Sequence, residues 1–126
     1  MDVDKLLAMQ TWAVVGLSSN RARAAWEVAE FLQHKGKRIV PVHPSADDVH
    51  GEQGYASLRD IPFPIDVVDC FVNSSLVGAV VDDAIAVGAK GVWMQLDVLD
   101  ANAARRARDA GLLVVMDRCP KIEWRS

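Results

Sequence analysis

Residues 12 to 21 read Trp12-Ala13-Val14-Val15-Gly16-Leu17-Ser18-Ser19-Asn20-Arg21, an apolar run that stops at a glycine and turns polar. Four consecutive apolar residues suit a strand buried on both faces, as a central parallel strand under two helix layers must be. The small, polar and basic residues that follow, with a helical pattern behind them, place backbone N–H groups, hydroxyls and positive charge at the mouth of a helix. Such groups hold anions, so this stretch predicts a first strand that delivers a phosphate-binding turn.

The same grammar extends along the chain. Ala25, Val28, Ala29 and Leu32 recur at i, i+3, i+4 and i+7, and Gly36 ends that helix. Arg38-Ile39-Val40-Pro41-Val42 reads as the second strand, with Pro41 marking where its ladder stops. Asp66 to Val72 reads as the next strand, and Asn73-Ser74-Ser75 offers an N-cap to a helix that repeats Val77, Val80, Val81, Ala84 and Ile85 before Gly88. Gly91 to Leu96 and Leu112 to Met116 complete the strands. Between them lies a helix capped by Asp100, with Ala103, Ala107 and Ala110 on one face, stopping at Gly111. Three helices ending at glycines shortly before apolar strands predict βα units with right-handed crossovers. The expected fold is α/β: a doubly wound, mainly parallel sheet in three α/β/α layers, one domain over residues 1–126. Residues 2 to 10 predict a short leading helix over one edge of the core. Residues 44 to 65 hold three of the five prolines with Gly51 and Gly54, and read as a long, functionally placed connection with a helical turn within Tyr55 to Asp60.

Composition narrows the function. At 126 residues and 51% apolar content, the chain can bury the core of about one domain. Its 14 basic and 17 acidic residues leave a formal charge of -3, and no basic run exceeds a pair, which argues against a nucleic-acid partner. Met1-Asp2-Val3-Asp4-Lys5 lacks the basic region of a signal peptide, and no apolar run approaches the roughly 18 residues that span a bilayer. A cytoplasmic protein with no membrane partner is expected. Cys70 and Cys119 form no CxxC pair and suit a reducing compartment.

Ligands of doubly wound sheets bind outside the carboxyl ends of the strands, which singles out Gly16 to Arg23, Pro41 to Pro44, Phe71 to Ser75 and Gln95 to Asp97. A nicotinamide dinucleotide requires G-x-G-x-x-G in the first turn and an acidic residue ending the second strand. Here the turn has one glycine, and the strand ends Pro41-Val42-His43. Ser18, Ser19, Asn20, Arg21 and Arg23 suit phosphates without choosing a nucleotide. His34, His43 and His50 read as surface or structural residues, and no Ser-His-Asp or Cys-His constellation is legible, so no catalytic residue is assigned. Three histidines and two cysteines without ligand spacing give no metal site. Trp12, Trp26 and Trp93 read as core aromatics, Trp93 with a second option of facing the ligand beside Gln95. Trp124 reads as a contact to a partner subunit or as a loose tail.

Ala13 to Ser18, Val40-Pro41-Val42-His43-Pro44, Gly51 with Tyr55 to Pro62, Asp66-Val67-Val68-Asp69 and Val114 to Glu123 together resemble the small single-domain CoA-binding proteins. The resemblance spans nearly the whole chain. It implies a Rossmann-like fold related to the CoA-binding domain of the succinyl-CoA synthetase α-subunit, with coenzyme A or an acyl-CoA bound across the strand ends. It implies further that the turn Gly16 to Arg21, with Ser18, Ser19 and Asn20, serves the CoA phosphates, that the segment Pro41 to Pro44, His43 included, lies at the nucleotide end, and that Phe71, Val72 and Asn73 line the ligand's path. Arg23 and Gln95 join these candidates from their own chemistry and position, a basic residue after the turn and an amide at a strand end. Three positions depart from the family pattern: His43 stands where Asn is usual, Val72 where Arg is usual, and Asp97 where Gly is usual. The departures remove a charge partner and add a carboxylate near the site. The synthetases carry their phosphorylated histidine in a second domain. The expectation is therefore a binding protein with no chemistry of its own. Its alternatives are a CoA ligase-type subunit that needs a partner chain, or a module for another nucleotide; a homo-oligomer is compatible with each. Cys119, between Arg118 and Pro120, reads either as a packed thiol or as one activated by a neighbouring cation. Activated, it could form a mixed disulfide with CoA.

Overall fold

Five strands, β1 (Thr11–Val15), β2 (Arg38–Val42), β3 (Val67–Cys70), β4 (Gly91–Met94) and β5 (Leu113–Val115), pair in parallel in the order β2-β1-β3-β4-β5. The computed structural model describes residues 2–124; Met1, Arg125 and Ser126, which the one-domain expectation includes, lie outside the described residues. One face of the sheet carries α1 (Asp2–Leu7), α2 (Ala24–His34) and the short α5 (Pro120–Glu123). The other carries α3 (Ser74–Ala86), α4 (Ala101–Asp109) and a 3-10 turn at Leu58–Asp60. The predicted three-layer, doubly wound α/β architecture is what the chain adopts.

Side-chain alternation explains the continuous apolar runs. Along β1, Trp12 and Val14 enter the core under α2, while Ala13 enters the core under α3 and α4. A strand clothed on both sides has no polar position to show. Trp12 and Trp93 pack with ring centroids 5.7 Å apart, and Trp93 is fully buried, which turns it away from any ligand path. The helix glycines act as read: Gly36, Gly88 and Gly111 all adopt positive φ after their helices.

Several local expectations change. The strands β3, β4 and β5 are shorter than read, because residues past Cys70, Met94 and Val115 leave the ladder for the loops at the carboxyl edge. Pro41 does not end its ladder but sits buried within β2, opposite Val14. β2 is an edge strand, and the Pro41 carbonyl faces outward to accept the Tyr55 N–H at 2.9 Å, so no neighbour needs a proline N–H. In α4 the buried stripe is Ala103, Ala104 and Ala107; Ala110 is exposed past the helix end. Trp26 is half-buried, between His50 (centroids 4.4 Å apart) and the Arg21 guanidinium at 4.8 Å. Trp124 packs edge-on against Phe31 of its own α2 at 5.8 Å and is half-buried, so it is not a loose tail.

The strand order reverses at β1, flanked by β2 on one side and β3 on the other. Gly16, the first residue beyond β1, donates its N–H to the Val42 carbonyl at 2.7 Å. Its φ is +101°, and a Cβ there would lie 2.3 Å from the Phe71 carbonyl oxygen. Glycine is required twice over, by conformation and by the approach of β3. Gly16→Ala is expected to lose about 3 kcal/mol of stability, combining backbone strain with overpacking. Urea denaturation would show this as a lowered midpoint with an unchanged slope.

Candidate functional site

The reversal opens a cleft of about 1300 Å³ at the carboxyl edge of the sheet, larger than the usual range of about 300–1,000 Å³ for small-ligand pockets. Gly16, Ser18, Asn20, Arg23, His43, Phe71, Val72, Asn73 and Gln95 all line it. Ser19, Arg21 and Pro41 do not. Ser19 turns its N–H and hydroxyl to the Asp47 carboxylate, at 3.1 and 2.9 Å. Those bonds hold the Asp47 carboxyl below its ordinary range. Arg21 lies over Trp26, and Pro41 is inside β2.

The first turn leaves donors facing the cleft. The Ser18 hydroxyl oxygen accepts the Asn20 N–H at 3.2 Å, and Asn20 Oδ1 accepts the Ala22 N–H at 3.0 Å. The acceptors of both side chains are therefore engaged within the loop, while the Ser18 O–H and the Asn20 amide NH2 are left to donate. Arg23, at the N-cap of α2, makes no ion pair among the described residues.

Helix ends supply the second set of donors. α2 and α3 both begin without a side-chain capping bond, and the first residues of both line the cleft. Asn73 holds the N-cap position of α3, but its side chain does not cap as expected. α5 also begins without one, whereas Asp100 accepts the Ala103 N–H at the start of α4 and Ser57 accepts the Arg59 N–H at the 3-10 turn. The unsatisfied N–H groups and positive dipole ends of two helices thus converge on one cavity.

The far wall comes from α3. Leu76, Ala79, Val80 and Asp83 form an i, i+3, i+4, i+7 stripe beside the core stripe Val77, Val81 and Ala84. Ser57 and Leu58 of the 3-10 turn face it, the turn being held to α3 by the Arg59–Asp83 ion pair at 2.9 Å. Sequence reading missed this wall, although Leu76, apolar and off the core stripe, was a signal for it. Leu96, Asp97 and Val98 close the β4 end.

Behind Gln95 lies a fully buried carboxyl, Asp69, on β3. The Gln95 side-chain amide donates to Asp69 Oδ1, and Oδ2 has no hydrogen-bond partner. Burial pushes the Asp69 carboxyl up to about 8, with the Gln95 hydrogen bond opposing the shift. The Cys70 thiol beside it is pushed up as well, by burial and then by Asp69.

The histidines divide as the sequence suggested. His34 is exposed, His50 Nε2 is 2.8 Å from the Trp26 carbonyl, and His43 lines the cleft with Nδ1 2.8 Å from Ser45 Oγ. Cys119 is half-buried against the core under α2 and is not in the cleft lining, so it reads as the packed thiol and not as a partner for a ligand sulfur. Among the described residues, no three His, Cys, Asp or Glu side chains cluster as a metal site would require. No described helix is long and apolar enough to cross a membrane.

The family described as "CoA binding domain" matches residues 10–125. The chain belongs to that family. It is 33% identical over 110 residues to the uncharacterized protein YneT of Bacillus subtilis, covering 87% of this chain and 82% of that one. A hypothetical protein from Pyrococcus horikoshii superposes with a TM-score of 0.91 at 37% identity, over 97% of this chain and 87% of the other. The chain is also 28% identical over 81 residues, 64% of its length, to the α subunit of ADP-forming acetate–CoA ligase II of Pyrococcus furiosus. It spans only 18% of that subunit. The acetyl-coenzyme A synthetase 1 of Ca. Korarchaeum cryptofilum matches with a TM-score of 0.76 at 25% identity, over 89% of this chain and 27% of the synthetase. This CoA binding domain is thus related to CoA ligase subunits.

The buried Asp69 gives the fold a pH dependence. An unfolded carboxyl titrates near 4, so between there and about 8 the folded chain keeps a proton that the unfolded chain releases. Stability therefore falls as pH rises through that window. Asp69→Asn should flatten this decline, retaining more of its pH 5 stability at pH 8 than the parent chain does in urea denaturation. Equal losses in both would show that Asp69 does not hold the proton.

Proposed function

We propose that this chain binds coenzyme A or an acyl-CoA through its phosphates and nucleotide, and performs no chemistry of its own. The observation that carries the reading is the convergence of the uncapped N-termini of α2 and α3 on a cleft lined by Arg23, Asn20 and Ser18. A nucleotide with several phosphates satisfies such a donor set. Membership of the CoA binding domain family supports CoA among nucleotides. The groups present fit it: donors line the β1 and β2 side, and apolar walls run beside α3 for the uncharged parts. Gly16, Ser18, Asn20 and Arg23 would hold the phosphates, His43 would lie at the nucleotide end, and Phe71, Val72, Asn73 and Gln95 would line the path. Ser19, Arg21 and Pro41 would act through the shape of their loops.

A second reading follows from the ligase relatives, of which this chain matches only a fraction. In it, the chain is the CoA-holding component of a ligase whose remaining parts lie on a partner. Turnover on addition of such a partner, absent with the chain alone, would favour it.

Thermal stabilisation against CoA, acetyl-CoA, NAD, NADP and ATP tests the main reading. A ligand at 100 times its Kd adds about 2.7 kcal/mol, and CoA is expected to give the largest shift with acetyl-CoA. No shift with millimolar CoA would overturn it. Arg23→Ala should weaken CoA binding about tenfold or more by calorimetry, the effect of losing one charge-assisted contact.

A further inference from the structure

The four large hydrophobic side chains most exposed among the described residues are Leu76, Leu96, Leu99 and Ile122, and two of them line the cleft. Leu76 (58% exposed) and Leu96 (51%) line the cleft at its β4 end. Leu99 (52%) is tied beside them, since its N–H donates to Ser74 Oγ at 2.9 Å while that hydroxyl donates to the Asp97 carbonyl at 3.3 Å. One serine at the start of α3 thus ties the backbone around Leu99 to the mouth that Leu76 and Leu96 line. Exposed apolar side chains grouped at the rim of a polar cleft mark a surface built to be covered.

The charges around the cleft say which part of a ligand covers it. Arg23 and His43 stand on the β1 and β2 side. The leucine mouth lies at the other end, with Asp97 in its lining and the Asp117 carboxylate accepting the Asp97 N–H at 2.7 Å. Arg118, the adjoining basic residue, is paired with Glu123 at 3.2 Å. An anionic group at this mouth would meet the Asp97 carboxylate, with Asp117 behind it and, among the described residues that line this end, no basic side chain. A phosphorylated nucleotide is therefore directed to one end, and an uncharged apolar group to the other.

We infer that the cleft prefers CoA thioesters with an apolar acyl group, seated on Leu76 and Leu96, over free CoA and over acyl groups that end in a carboxylate. The inference rests on the CoA reading above and specifies which form of the ligand the cleft is shaped for. The bound thioester undergoes no bond change here.

Isothermal titration with CoA, butyryl-CoA and succinyl-CoA separates the two claims. Butyryl-CoA is expected to bind about tenfold more tightly than CoA, the effect of about two buried methylenes, and succinyl-CoA no more tightly than CoA. The double variant Leu76→Ser/Leu96→Ser alters exposed side chains outside the core, and should bring the ratio of butyryl-CoA to CoA affinity down to about one. Asp97→Asn, which keeps a residue tolerant of the local φ of +67°, should raise succinyl-CoA affinity selectively. If CoA binds and butyryl-CoA binds no better, or succinyl-CoA binds as well as butyryl-CoA, the acyl preference is overturned and the CoA reading stands. If none of the three binds, both fall. A double variant that changes the oligomeric state in sedimentation while leaving the ratio intact would assign the leucines to a subunit contact and overturn the inference.

Discussion

Three strand ends meet at Gly16. Its N–H is bonded to Val42 of β2, the Phe71 N–H is bonded to Val15 at 2.8 Å, and the Phe71 carbonyl sits where a Cβ would be. Only a residue without a side chain allows β2 and β3 to flank β1 this closely at their carboxyl ends. The consequence is functional as much as structural. The chain leaves β1 for α2 on one face of the sheet and leaves β3 for α3 on the other, so the two helices start side by side with their N-termini toward the same opening.

That opening costs the fold something. A missing N-cap side chain forfeits about 1 kcal/mol at each helix, and the chain can evidently make caps, since Asp100 and Ser57 both do so. The buried Asp69 is a cost of the same kind, a carboxyl with one oxygen unpartnered that fixes the amide of Gln95 in the cleft wall. Local departures from good practice gather at the carboxyl edge of the sheet, while the opposite edge is conventionally satisfied. There, Asp66 accepts the Thr11 N–H at 3.0 Å and pairs with Lys90 at 3.2 Å. Structures that break local rules on one side only usually do so where they bind.

The layers, the parallel sheet and the position of the site were legible because they depend on features that repeat: apolar runs without alternation, helical stripes, and glycines at Gly36, Gly88 and Gly111. What was not legible depends on single long-range contacts. Ser19 and Ser18 look alike in sequence, but Asp47, from a distant loop, claims Ser19. Arg21 and Arg23 look alike too, and only the placement of Trp26 withdraws Arg21 from the cleft. Pro41 was misread because a proline inside a strand is allowed at an edge, and edge status belongs to the sheet order and not to the strand. On α3 the periodicity gave a face wider than one stripe, without telling that half of it covers the sheet and half borders the cleft.

The division of labour between these residues explains how a chain of this fold can alter its ligand preference without altering its stability. Gly16, the helix-ending glycines and the two cores set the backbone, and none of them depends on what occupies the rim. Val72, Leu76, Leu96 and Asp97 border the cleft, and each is at least partly exposed. Exchanging the exposed Leu76, Leu96 and Asp97 changes the chemistry of the wall while leaving core volume untouched, and Val72 touches the core only at its margin, so the expected cost to stability is small. On the proposed reading, a valine at 72 and a carboxylate at 97 would act on the uncharged end of the ligand. The phosphate end would meet the uncapped starts of α2 and α3 together with Arg23, Asn20 and Ser18, a set that exchange at 72 or 97 leaves in place.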